Sequence, residues 1–415
     1  MIVQLNRVQT MFAAAALVLA AVFFAATLTP AGADAKPKKK NPAVKVKKGP
    51  NGLAFYKPPK KTPKQHGRLI WFNKATGVVP LKSAKWTKRV LYTSTTPGGK
   101  RTAVSGSVSV PKGKAPKGGW PMITYGHGTT GIADKCAPSR NTADGPATDY
   151  ISYTDAEQNA WLDAGYAVAR SDYLGLGTPG VHPFLIGKAS GRSMLDIVRA
   201  SRDLDPQISK RFLIAGHSQG GHAALFAAGA AAKWTPDLKL RGTVAYAPAS
   251  HMKEQAGFLP NLKTPSSLTA LASLIVKGAM AVDPDFDPNQ LLSDPVLAFF
   301  PQTETECLSR LAEPDNLGGI APSELIRDGA DTGPLFELLG EQNPDVVTSA
   351  PILLAQGEAD QTTFKLLTDM LNNELVAAGD SVNYIAYPGV DHGGILDAAK
   401  ADVMAFFEQR LPSGR

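Results

Sequence analysis

Ser218, His392 and a carboxylate between them are the residues of this chain whose types and order could do chemistry. Ser218 lies in Ala215-Gly216-His217-Ser218-Gln219-Gly220-Gly221, where Gly216 and Gly220 flank it as G-x-S-x-G. That turn is so tight that small neighbours are required, and it lifts the serine oxygen above a sheet edge. A serine hydroxyl is nearly unreactive until a base takes its proton, so a histidine held by a carboxylate must reach it. After the motif, His222, His251 and His392 are the candidates. His222 sits on the following helix and would swing away, while His251 has no strand to position it. His392, in Pro388-Gly389-Val390-Asp391-His392-Gly393-Gly394, occupies a Gly-rich loop before the last helix and is the expected base. Asp360, in Gln356-Gly357-Glu358-Ala359-Asp360-Gln361, is the expected acid. Glu358 is the fallback, and Asp391, adjacent to the histidine, would point elsewhere.

An acyl-transfer site also needs donors for the developing oxyanion, and backbone N–H groups must approach it closely. The glycines of Tyr125-Gly126-His127-Gly128-Thr129-Thr130-Gly131 suit that approach. The N–H of Gln219 is expected as one donor and that of Thr129 as the other, with Gly128 the nearer alternative. His127 is expected to hold this loop rather than bind metal, because no Cys, His or Asp set at ligand spacing accompanies it. Asp172, at the end of a strand, is read as holding loop geometry, with substrate contact open. No metal and no organic cofactor is expected.

The elements that must carry these residues follow from the patterning. Leu69 to Phe72, Val90 to Thr93 and Val104 to Val110 read as opening strands, antiparallel to one another. Then come short apolar runs at Pro121 to Tyr125, Tyr166 to Arg170, Phe212 to Ala215, Thr243 to Tyr246, Ile352 to Ala355 and Val382 to Ala386. Helical stretches separate most of them, which predicts an α/β fold with a mostly parallel central sheet and helices on both faces. Phe364, Leu367, Leu371 and Leu375 recur at helical spacing, as do Leu396, Ala399, Val403 and Phe406 of a last helix. Residues 249–345 break the rhythm with short helical segments and read as an inserted helical cap. The first part of the core is then residues 69–248 and the second part 346–415. With 43% hydrophobic residues and 39 Gly, 32 Pro and 2 Cys in 415 residues, the chain is neither disordered, collagen-like nor disulfide-stapled.

The N-terminus reads as an address. Arg7, the apolar run Met11 to Leu28 and the small residues Ala31 to Ala35 have the three parts of a secretory signal, expected to span residues 1–35. Residues 36–68 hold twelve Lys or Arg and no Asp or Glu, against 31 basic and 35 acidic side chains in residues 69–415. The formal net charge of +8 therefore describes a basic arm on a mildly acidic body. Such a composition predicts a mostly disordered, solvated arm, with contact to anionic envelope polymers or lipid headgroups as the second reading. Nothing supplies the aromatic and basic interleaving of a nucleic-acid reader. Cys136 and Cys307 are the only cysteines, and in an exported chain they are expected to pair.

Taken together, the chain resembles the secretory lipase family of α/β-hydrolases, over about residues 53–410. The resemblance rests on Phe55-Tyr56-Lys57-Pro58-Pro59, His127 to Gly131, Cys136-Ala137-Pro138-Ser139, Asp172-Tyr173-Leu174-Gly175-Leu176-Gly177 and Gly216 to Gly221. It implies hydrolysis of carboxylic esters, often triacylglycerols, through an acyl-enzyme on Ser218, with a helical lid matching Ala249 to Asp345. An extracellular or envelope-retained enzyme acting on lipid or other esters is the expectation. An acyltransferase or amide hydrolase with the same three groups, and an envelope-binding protein acting through the arm, are the rivals. Oligomeric state is left open by the sequence.

Overall fold

A computed structural model describes residues 46–414. The expected signal and the first part of the basic arm lie outside the described residues. The strands are β1 Leu69–Lys74, β2 Ala84–Thr95, β3 Arg101–Pro111, β4 Trp120–Gly126, β5 Ala167–Ser171, β6 Ile208–His217, β7 Lys239–Tyr246, β8 Ile352–Gly357 and β9 Val382–Tyr387. They form one sheet in the order β1-β2-β3-β5-β4-β6-β7-β8-β9. The pairings β1–β2, β2–β3 and β3–β5 are antiparallel, and every pairing from β5 through β4 to β9 is parallel. Helices cover both faces, so β4 and β8 are buried along their whole length and read as continuous apolar runs.

On one face α2 (Gly187–Leu204) and α3 (Gln219–Trp234) pack with Val104, Met122 and Phe212. On the other, α1 (Thr148–Asp163) and the helix Lys400–Arg410 bury Trp161, Tyr246 and Phe407. The last helix is broken where the periodicity predicts one: Ile395–Ala398 and Lys400–Arg410 are separated at Ala399. Between β7 and β8 lies the inserted helical segment, with α4 (Met252–Phe258), α5 (Ser267–Met280) and the helix Gly333–Glu341. It carries its own core around Leu274, Leu292, Val296 and Leu317.

Part of the stretch expected to be a solvated arm is packed. Phe72 N–H donates to the Lys47 carbonyl and Gly49 N–H to the Phe72 carbonyl, both at 3.1 Å, which lays residues 47–49 beside β1. Phe55 and Tyr56 are buried, Trp71 Nε1–H donates to Phe55 O at 2.9 Å, and Arg68 pairs with Asp203 at 2.8 Å. The basic composition averaged over residues 36–68 hides two aromatic anchors, and burying two rings offsets the entropy of ordering their neighbours.

Cys136 and Cys307 form a disulfide that joins the loop after β4 to the inserted segment, and Leu308 N–H donates to Thr130 O at 2.9 Å beside it. The bridge closes 171 residues, long enough for a sizeable restriction of the unfolded chain. The double variant Cys136→Ser, Cys307→Ser is expected to lose about 2–5 kcal/mol of stability. Calorimetry in the absence of reductant checks this, and an unchanged melting temperature would count against it.

A second stability term is buried under β7. Glu157 on α1 is 4% exposed and accepts a hydrogen bond from the Tyr246 hydroxyl. Burial pushes its carboxyl from 4.5 up to about 8, against the opposing pull of Tyr246 and Lys400. Between those values the unfolded chain releases this proton while the folded chain keeps it, so this group removes stability as pH rises from about 4.5 to about 8. The melting temperature of Glu157→Gln is therefore expected to fall less over that window than that of the unmodified protein.

Candidate active site

The parallel strands β4, β6, β7 and β8 end at one edge of the sheet, and the residues singled out for chemistry gather in the loops that leave it. β6 ends at His217 and α3 begins at Gln219, leaving Ser218 alone in the turn with φ 59° and ψ −118°. A non-glycine residue at such angles costs on the order of 1–3 kcal/mol and persists only when its surroundings over-determine it. Here they do. Ser218 N–H donates to Tyr246 O at 2.9 Å, and Ser218 O accepts from His222 N–H at 3.1 Å and Ala249 N–H at 3.3 Å. The flanking glycines have a steric reason: a Cβ on Gly216 would collide with the Gly220 carbonyl, and one on Gly220 with the carbonyl of Gly126.

Asp360 follows β8 and is buried, whereas Glu358 is exposed. Its Oδ2 accepts from His392 Nδ1–H at 2.7 Å, Thr363 Oγ1–H at 2.9 Å and Gln356 Nε2–H at 3.1 Å. Its Oδ1 accepts the N–H groups of Thr362 at 2.7 Å and Thr363 at 2.9 Å. Burial alone would raise this carboxyl, but the hydrogen bond and charge of His392, with the two N–H groups, hold it below the ordinary carboxylate value. The acid is thus an ionised carboxylate, and the His392 nitrogen left free is Nε2. Asp391 instead accepts the N–H of Gly394 at 2.7 Å and shapes the turn.

No hydrogen bond joins Ser218 Oγ to His392 among the described residues; the tie between elbow and histidine runs through His217. Its ring lies 4.7 Å from that of His392, and its Nε2 is 2.8 Å from the His392 carbonyl. Catalytic hydrogen bonds often tighten only when substrate is bound.

The expected oxyanion donors are not equivalent. Thr129, Ser218 and Gln219 line one cavity of about 390 Å³. Gln219 is the first residue of α3, where N–H groups have no partner within the helix. The Gly128 N–H, by contrast, is spent on the Tyr150 hydroxyl, whose ring packs against Gly128 so closely that a Cβ there would collide with it. Gly128 is therefore removed as a donor, because its N–H points into the protein. His127 is buried and its ring donates to Gly128 O at 2.7 Å, with burial pushing it down to about 4, so it stays neutral and braces the loop.

His222 and His251 are held away from the chemistry. His222 Nε2–H donates to Gln342 O at 2.9 Å, linking α3 to the inserted segment, and His251 Nε2 lies 3.0 Å from Glu374. Asp172 accepts from Ser105 Oγ at 2.6 Å and Ser139 N–H at 2.9 Å, which anchors the loop of Cys136 to β3. The inserted segment supplies the rest of the cavity wall, including Leu271, Ile275, Leu335 and Phe336. Sequence reasoning missed Thr363, Gln356, Tyr150, Tyr153 and His217 as parts of this site. Gly220→Ala is expected to abolish both soluble yield and any turnover, since backbone must move to admit the methyl; a soluble variant with an unchanged melting temperature would contradict the steric account.

Comparison with known proteins places this geometry. The secretory lipase family model matches residues 148–308. No curated protein matches the chain. Among solved structures, Candida antarctica lipase A in its closed state superposes with TM-score 0.72 and 19% identity over 84% of this chain and 83% of its own. A hydrolase of Legionella pneumophila aligns with TM-score 0.68 and 21% identity, over 82% and 99%. The rice cell wall degrading esterase LipA of Xanthomonas oryzae aligns with TM-score 0.68 and 18% identity, over 85% and 100%. At these identities the structures speak to fold: the chain has the α/β-hydrolase fold, and over residues 148–308 it is similar to the secretory lipase family.

Proposed function

We propose that the chain is an exported serine hydrolase that cleaves carboxylic esters with an apolar acyl group, through an acyl-enzyme on Ser218. The observation that supports it most is that the Asp360–His392 pair stands against His217, the residue next to a strained serine that opens into an apolar cavity. With His392 Nδ1–H committed to Asp360, Nε2 is the free base. Ser218 Oγ attacks the ester carbonyl as His392 Nε2 takes its proton, and the ionised Asp360 stabilises the imidazolium. The N–H groups of Gln219 and Thr129 hold the oxyanion. The alcohol leaves with the proton returned by His392, and a water molecule activated by the same ring releases the acid.

The cavity supports the substrate class. It runs from Ser218 among Leu, Ile and Phe side chains of the inserted segment, a surface that favours an extended hydrocarbon over a charged or sugar-like acyl group. Export is in keeping with the Cys136–Cys307 disulfide, a bond that persists in oxidising compartments. The basic stretch preceding the described residues carries the charge to meet anionic surfaces.

Hydrolysis of nitrophenyl esters from two-carbon to sixteen-carbon chains, with Ser218→Ala alongside, tests the reading. Turnover is expected to peak at medium or long chains. The alanine variant is expected to lose at least about 10³-fold, and Asp360→Asn roughly as much or somewhat less. Turnover retained in Ser218→Ala would refute the acyl-enzyme, and an optimum at two carbons would refute the acyl assignment of the cavity.

A further inference from the structure

The residue before the nucleophile faces the base, not the solvent. His217 is 1% exposed at the end of β6, and both ring nitrogens are engaged. Nε2 lies 2.8 Å from the His392 carbonyl oxygen. A carbonyl only accepts, so Nε2 carries the proton and donates it, which makes Nδ1 an acceptor. Nδ1 faces two hydroxyls of α1, Tyr153 at 2.9 Å and Tyr150 at 3.2 Å. Tyr150 in turn receives the N–H of Gly128 in the loop after β4. One ring therefore connects the turn bearing Ser218, the loop bearing His392 and the loop bearing Thr129.

We propose that His217 is a positioning residue for ester cleavage: its Nε2–H holds the His392 loop at the elbow, and the tyrosines on its Nδ1 fix the tautomer that makes this donation possible. The inference rests on the reading of Ser218, His392 and Asp360 as the catalytic groups. His392 needs such a tie because Asp360 restrains only its Nδ1 edge. Its loop, from Pro388 to Gly394, is rich in glycine and largely exposed, and its tie through Val390 O to the Ala359 N–H, at 2.9 Å, fastens it to the segment after β8 rather than to β6 and Ser218. A donor held by β6 sets the distance to Ser218 directly, since His217 and Ser218 are consecutive. Burial, reinforced by the charge of His392, pushes His217 down to about 3. The ring stays neutral and keeps an acceptor for the tyrosines whenever the enzyme works.

The test compares His217→Leu, His217→Gln, the pair Tyr150→Phe with Tyr153→Phe, and Ser218→Ala in nitrophenyl ester hydrolysis by the full chain, with the melting temperature of each. Glutamine retains a donor that can reach the His392 carbonyl, and leucine does not. His217→Leu is expected to lower kcat about 10–100-fold at unchanged KM, the scale of a misplacement near 1 Å. His217→Gln is expected to recover most of that loss. The tyrosine pair is expected to lower kcat about fivefold by removing the partners of Nδ1. Wild-type kcat in His217→Leu overturns the proposal, as does a loss that glutamine leaves unrecovered while the tyrosine pair is neutral. Should His217→Leu fail to fold, the tyrosine pair decides alone, and an unchanged kcat there overturns it. Turnover surviving in Ser218→Ala would instead bring down the catalytic reading itself.

Discussion

The backbone of Ser218, held at positive φ between β6 and α3, is the constraint on which the rest of the site depends. A turn this sharp places the hydroxyl above the sheet edge only while its own N–H and carbonyl are bonded on both sides. Those bonds come from Tyr246, His222 and Ala249, so β7, α3 and the start of the inserted segment all contribute to one residue's conformation. Glycines at 216 and 220 let the strands and helix close to backbone contact around it.

Around that turn the polar groups are held by many hydrogen bonds, and the inserted segment leaves apolar space beside them. Asp360 accepts five hydrogen bonds and stays ionised in a buried position, a preorganised negative charge facing the ring of His392. The inserted segment contributes hydrocarbon to the cavity but is not loosely attached. The disulfide, the Leu308-to-Thr130 bond and the His222-to-Gln342 bond fasten it to the loop after β4 and to α3. Its anchors are thus the same elements that carry Thr129 and Ser218, so the cavity wall and the reacting groups keep one frame.

Histidines illustrate how burial sorts identical side chains. His127, His182, His217 and His222 are all pushed down by burial and remain neutral braces, each with a ring nitrogen bonded to a backbone carbonyl. His392 differs by facing a carboxylate and standing partly exposed at the cavity's edge of the sheet.

The sequence by itself determined the strand positions and the turn at Ser218, and it singled out Ser218, Asp360 and His392 in that order. Each is a local property: apolar runs of strand length, glycines at fixed offsets, and a Gly-rich loop after the last strand. It could not tell which of Gly128 and Thr129 keeps a free N–H, because they are neighbours and only the packing of Tyr150, from a distant helix, turns the Gly128 N–H inward. Nor could it see Phe55 and Tyr56 anchoring a stretch whose average composition is that of a solvated arm. The roles of Thr363, Gln356 and His217 were equally invisible, since each is defined by a hydrogen bond to a residue brought near by the sheet. Spacing along the chain encodes the turn that bends it, whereas long-range partners exist only once β6, β7 and β8 are hydrogen-bonded side by side and their loops share one edge.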